Sequence, residues 1–92
     1  MDFVEYRSQR LREDPDLARA YEEEQLEREL GRQILRLRLA RGLTQAQLAD
    51  ALGTKQPAVA RLESGSYRPS LATLVKISQV LDARLEVRLT PC

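Results

Sequence analysis

Hydrophobic positions recur at three- and four-residue spacing along most of the chain, and that period predicts helices. Phe3, Tyr6, Arg7 and Arg10/Leu11 fall at this spacing and predict a short opening helix over residues 3–11. Asp14-Pro15 then marks a fresh start, with Asp14 as N-cap and Pro15 at the first helical position, where its missing N–H costs nothing. Leu17, Tyr21, Leu26, Leu30, Ile34, Leu37 and Arg41 continue the pattern, widened by Leu35 and Leu39. Gly42 supplies a left-handed stop. Gly31 lies inside this stretch and reads as the point where a tail helix meets a domain. Thr44 and Gln47 form a capping box, and Leu43 and Leu48 a hydrophobic staple, so a helix starts at Thr44 and ends at Gly53. A third helix begins within a residue or two of Thr54, takes Pro57 in its first turn and ends at Gly65. Ser70 caps a fourth, with Leu71, Leu74, Val75, Ile77, Ser78 and Leu81 as its inner stripe. The period then changes. Arg84-Leu85-Glu86-Val87-Arg88-Leu89 alternates and predicts a strand with Leu85, Val87 and Leu89 on one face.

Composition narrows the function classes. The 92 residues are 42% hydrophobic and 32% charged, with no histidine and one cysteine. That size suits one domain with an extension. Lone Cys92 and the missing histidines leave no internal disulfide, no Cys/His metal site and no Ser-His or Cys-His nucleophile pair. Glu22, Glu23 and Glu24 occupy consecutive helical positions, which point in different directions and do not converge on a site. The expectation is a protein that is not an enzyme and holds no cofactor or metal. No apolar run spans a bilayer and no leader is visible, so a cytoplasmic location is expected.

Charge changes the picture more. The net charge of +1 conceals a split. Residues 1–30 carry ten acids against five arginines, whereas residues 31–92 carry ten basic residues against four acids. Two surfaces of opposite sign suggest two partners. The basic part has the size of a nucleic-acid-binding domain.

Two short helices joined through Gly53 form a helix-turn-helix pattern. Ala49 is small where the second helix crosses above it, Gly53 turns the chain at positive φ, and Val59 and Leu62 fix the crossing. Residues 43–65, LTQAQLADALGTKQPAVARLESG, and the sequel RPSLATLVKISQVLD resemble the Cro/repressor (XRE) type of helix-turn-helix domain. The resemblance covers Ile34 to Asp82 and implies an all-α, five-helix fold. It also implies that the helix from Gln56 lies in the major groove of double-stranded DNA. Gln56 would offer its amide to adenine, Pro57 an apolar contact to a thymine methyl, and Arg61 a donor fork to guanine or phosphate. Gln45 would grip a phosphate with help from its helix N-terminus, and Thr54, Lys55, Ser66, Tyr67 and Arg68 would reach flanking phosphates. Arg38 and Glu63 match a partly buried structural ion pair. Lys55 stands where a capping Ser or Thr is usual and Pro57 where a polar or small residue is common, so the base code departs from the family pattern.

The extension calls for a separate reading. An acidic arm with Phe3, Tyr6, Leu17 and Tyr21, followed by the repressor domain and a terminal strand, resembles the HigA type of antitoxin. That resemblance implies a RelE/HigB-like ribonuclease toxin as partner, bound through those four residues. The alternative is an arm that packs on its own domain or self-associates. The strand (Leu85, Val87, Leu89) would pair with a two-fold mate to give a homodimer reading a palindromic operator, or extend a sheet in the toxin. The domain expectation is therefore 1–30 as partner-binding extension, 31–83 as DNA-binding domain and 84–92 as dimerisation strand. The functional expectation is an antitoxin that neutralises its toxin and represses its own operon. A stand-alone phage-like repressor and a protein-interaction adaptor are the alternatives.

Overall fold

The computed structural model describes residues 8–10 and 12–92. Phe3, Tyr6 and, of the opening helix expected over residues 3–11, positions 3–7 and 11 lie outside the described residues. Residues 8–10 and 12–13 are helical. Four further helices follow: α1 (Pro15–Ala40), α2 (Gln45–Leu52), α3 (Gln56–Ser64) and α4 (Leu71–Val80). Among the described residues all regular secondary structure is thus helical, as the resemblance implied.

Local chemistry sets the boundaries. Asp14 caps α1, its Oδ1 accepting from the N–H groups of Asp16 (3.0 Å) and Leu17 (3.2 Å). Thr44 and Gln47 complete both halves of the capping box on α2. Ser70 accepts from the N–H of Thr73 at the start of α4. Gly53 and Gly65 close α2 and α3 in the left-handed conformation, at φ 72° and 78°. The stop after α4 is Asp82, a non-glycine residue at φ 51°. Thr44→Ala should therefore cost about 1 kcal/mol in a urea titration, the usual worth of an N-cap side chain. An unchanged midpoint would remove the capping box from the account of α2.

The core gathers Ile34, Leu48, Ala49, Leu52, Val59, Leu62, Ile77 and Leu81, with Leu30, Leu37, Leu43 and Val80 packed around it. α3 lies across α1 and α2, and α4 closes the far side of α2. Two points differ from the expected stripes. Leu71 and Val75 on α4, and Leu26 and Leu39 on α1, are exposed. The domain is small, and its other helices do not cover the full width of those apolar faces. α1 also runs through positions 30 and 31 without a break. Gly31 is buried in it where the α3 backbone crosses: a Cβ there would stand 2.6 Å from the carbonyl oxygen of Glu63.

Residues 83–92 carry no regular secondary structure. The alternating segment 84–89 has no ladder partner among the described residues, and a strand is defined by pairing. Leu85 is half-buried and lines an apolar groove with Leu30, Ile34, Leu37, Leu74 and Leu81, whereas Val87 and Leu89 are exposed. Among the described residues no helix is long and apolar enough to cross a membrane.

Candidate nucleic-acid interface

α2, the turn at 53–55 and α3 present one polar surface. The turn is tied back by the Thr54 N–H, which donates to the carbonyl of Ala49 at 2.9 Å. Lys55 occupies the N-cap of α3 and makes no side-chain cap bond there. Its ammonium offers only donors, whereas an N-cap side chain must accept. Gln56, Pro57 and Arg61 are all exposed along α3, whereas Val59 and Leu62 are buried.

Beneath this surface the two glutamines and the expected ion pair form one network. Arg38, buried in α1, donates from Nε to Glu63 Oε2 at 2.6 Å and from a terminal nitrogen to Oε1 at 3.1 Å. Its other terminal nitrogen donates to the carbonyl of Leu43 at 2.8 Å. Gln45 Nε2 donates to Glu63 Oε1 at 3.0 Å, and Gln56 Nε2 donates to Gln45 Oε1 at 2.6 Å. The hydrogen bonds from Arg38 to Glu63 hold the guanidinium above its ordinary pKa, more than offsetting the opposing effect of burial. The sequence reading had Arg38 and Glu63 as a pair. Their continuation to Gln45 and Gln56 was missed, because it joins three helices through side chains far apart in sequence.

The remaining candidates divide. Thr54, Arg61 and Tyr67 come together around a cleft of about 360 Å³, with Ala58 and Thr73 on its walls. Lys76 lines the same cleft and was not among the sequence candidates. Its Nζ donates to the Leu52 carbonyl at 2.9 Å, capping the negative end of α2. Ser66 shares a 2.6 Å hydroxyl contact with Ser64. Arg68 is turned toward α1, donating to Glu27 Oε1 (2.9 and 2.6 Å) and Glu23 Oε2 (3.2 Å). Its guanidinium, expected on a phosphate, is here paired with the acidic half of α1. Leu17 is exposed and Tyr21 half-buried on that half. No group of three or more potential metal ligands occurs among the described residues.

Comparison with known proteins agrees with this geometry. An uncharacterised HTH-type transcriptional regulator of Archaeoglobus fulgidus is 42% identical over 45 residues, 49% of this chain and 64% of its own length. Antitoxin HigA1 of Mycobacterium tuberculosis is 31% identical over 86 residues, 94% of this chain and 58% of its own. The chain thus spans less than two thirds of either relative. Among solved structures, the restriction-modification controller protein C.AhdI from Aeromonas hydrophila superposes with a TM-score of 0.59 at 32% identity, over 62% of this chain and 83% of that one. The helix-turn-helix family model matches residues 34–87, which enclose α2, the turn and α3. The chain belongs to the helix-turn-helix family.

Proposed function

We propose that this protein is a sequence-specific DNA-binding repressor that doubles as the antitoxin of a toxin–antitoxin module. The observation that carries the first half is the exposed row Gln56, Pro57 and Arg61 on α3, flanked by Lys55 and braced from below by Gln45. A helix whose N-terminal side chains stand clear of the core is the element that enters a major groove. Gln56 and Arg61 are the base readers, with Pro57 between them. Gln45, Thr54, Lys55, Ser66 and Tyr67 serve the phosphates. Arg68 joins them only on leaving Glu23 and Glu27.

Selection of binding sites from random duplexes tests this, followed by titration of the selected site. Gln56→Ala and Arg61→Ala should each weaken binding by about 1–3 kcal/mol, and affinity should fall steeply with salt. Wild-type affinity in the double variant would overturn the reading.

The second half is supported by the span of the HigA1 similarity, which takes in 94% of this chain, where the archaeal regulator matches 49%. The acidic half of α1 with exposed Leu17 and Leu26 suits a small basic protein such as a RelE/HigB-like ribonuclease. Truncation is a poor test, because Leu30 packs on the core and Arg28 lies against Gly65. Leu17→Asp should instead abolish co-purification with the product of a neighbouring toxin gene and leave DNA binding intact. A retained complex would remove Leu17 from the toxin-binding surface, and failure of the unmodified chain to form any complex would favour the stand-alone repressor. Homodimerisation through Leu85, Val87 and Leu89 completes the proposal and would place two copies of α3 on a palindromic operator.

A further inference from the structure

Arg68 stands one residue before Pro69, in the loop that leads from α3 to α4. The start of that loop lies against α1: Gly65 ends α3 at φ 78°, and a Cβ on it would stand 3.1 Å from Arg28 Cα. A proline restricts the residue before it to extended backbone, so the direction in which Arg68 leaves the loop is limited. Glu23 and Glu27 are one helical turn apart on α1 and share a face. They receive the guanidinium at three contacts. Nε and one terminal nitrogen donate to Glu27 Oε1 at 2.9 and 2.6 Å, and the same terminal nitrogen donates to Glu23 Oε2 at 3.2 Å. The hydrogen bonds and charge of Glu27, and then the charge of Glu23, hold this guanidinium above its ordinary pKa. The two ends of the pair differ in exposure. The Glu27 side chain keeps 21% and Arg68 66%, so the carboxylate is seated while the cation can swing out.

We propose that the acidic half of α1 is an internal competitor for DNA: Glu23 and Glu27 hold Arg68 with carboxylates in place of a backbone phosphate, and so keep the free protein below its full DNA affinity. The proposal rests on the reading of α2 and α3 as the DNA-binding surface, beside which the Arg68 loop lies. A guanidinium meets carboxylate and phosphate oxygens with the same donors. The edge formed by Nε and a terminal nitrogen, once given to Glu27, is closed to a phosphate. Engaging DNA through that edge requires the contacts to α1 to break, and the two carboxylates repel a phosphate drawn toward the loop. The restraint is that of a surface ion pair, which reads as a factor of about two to five in affinity. Both carboxylates belong to the N-terminal half of α1 and not to α2 or α3. The same DNA surface without that half would lack the restraint.

The test is a mutant cycle read on DNA. Site selection from random duplexes with the full chain supplies the duplex. Dissociation constants at low ionic strength are then measured for wild type, for Glu23→Gln with Glu27→Gln, for Arg68→Ala, and for the triple variant. Removing two negative charges favours DNA in any background, and only the part of the gain that needs Arg68 belongs to the competition. The gain on neutralising the glutamates should therefore be about two- to fivefold larger in the chain that has Arg68 than in the Arg68→Ala chain. The salt dependence of the glutamate-neutralised protein should also be steeper than that of the triple variant, by about one in slope, for the phosphate that Arg68 then holds. Equal gains in the two backgrounds, or no gain in either, would overturn the proposal while leaving the DNA reading in place. So would an Arg68→Ala change without effect in the neutralised protein, because Arg68 would then reach no phosphate. Should the double glutamine variant fail to fold, Glu27→Gln alone removes two of the three hydrogen bonds and decides by the same comparison. If the wild-type protein enriches no sequence, the DNA reading itself has failed and the proposal falls with it.

Discussion

Arg38→Ala is expected to lose roughly 3–5 kcal/mol of stability, the penalty for stranding one member of a buried ion pair. The Glu63 carboxylate, 5% exposed, would keep Gln45 as a donor but no countercharge. The Leu43 carbonyl would lose its Arg38 donor at the same time. A domain of this size holds about 5–15 kcal/mol in all, so the variant stands close to its unfolding threshold. Urea titration measures the loss directly, and the melting temperature should drop by more than about 10 °C. Exposure sets the contrast. Arg68→Ala removes an ion pair whose arginine is 66% exposed, and should cost less than about 1 kcal/mol. If the two variants lost equal stability, Arg38 would have to be regarded as an ordinary surface partner.

Gly31→Ala should destabilise too, against the local rule. In an open helix alanine is favoured over glycine by about 1 kcal/mol. Here the added methyl would lie 2.6 Å from the Glu63 carbonyl oxygen, 2.7 Å from that of Leu62 and 2.9 Å from the Glu63 carbonyl carbon. All three are backbone atoms, so no side chain can swing aside. α3 must move as a body, at the roughly 1–3 kcal/mol typical of an overpacked core. The same movement tilts the helix that carries Gln56 and Arg61, so DNA affinity should fall even where the protein remains folded. Urea unfolding and a DNA titration on one preparation would check both effects. A Gly31→Ala protein more stable than wild type would show that the crossing is looser than the distances state.

Gly31 also shows where sequence reasoning stops. A glycine in a helical pattern reads as a joint between segments, because its backbone freedom is a local property. Its use in α1 is lack of volume, and what fills the space belongs to a helix about thirty residues later. Arg68 makes the same point with charge. In sequence it stands in a basic loop beside the recognition helix, whereas its partners Glu27 and Glu23 are 41 and 45 residues away. The terminal segment fails for another reason. Alternation at 84–89 describes a strand's faces, but a strand exists only beside another, and the pattern does not name its mate.

What the sequence by itself determined is everything decided within about one helical turn. Asp14, Thr44 and Ser70 as caps, Gly42, Gly53 and Gly65 as left-handed positions, Pro57 in the first turn of α3, and the core choice of Leu48, Ala49, Val59 and Leu62 are all of this kind. Such features depend on hydrogen bonds and spacings between residues at most four apart, which a linear pattern displays. Only the tertiary structure decided that α1 is continuous, that Leu71 and Val75 remain uncovered, and that Arg38, Glu63, Gln45 and Gln56 share one chain of hydrogen bonds. Those outcomes depend on how closely and at what angle helices cross, and crossing geometry is set by the fit of whole surfaces.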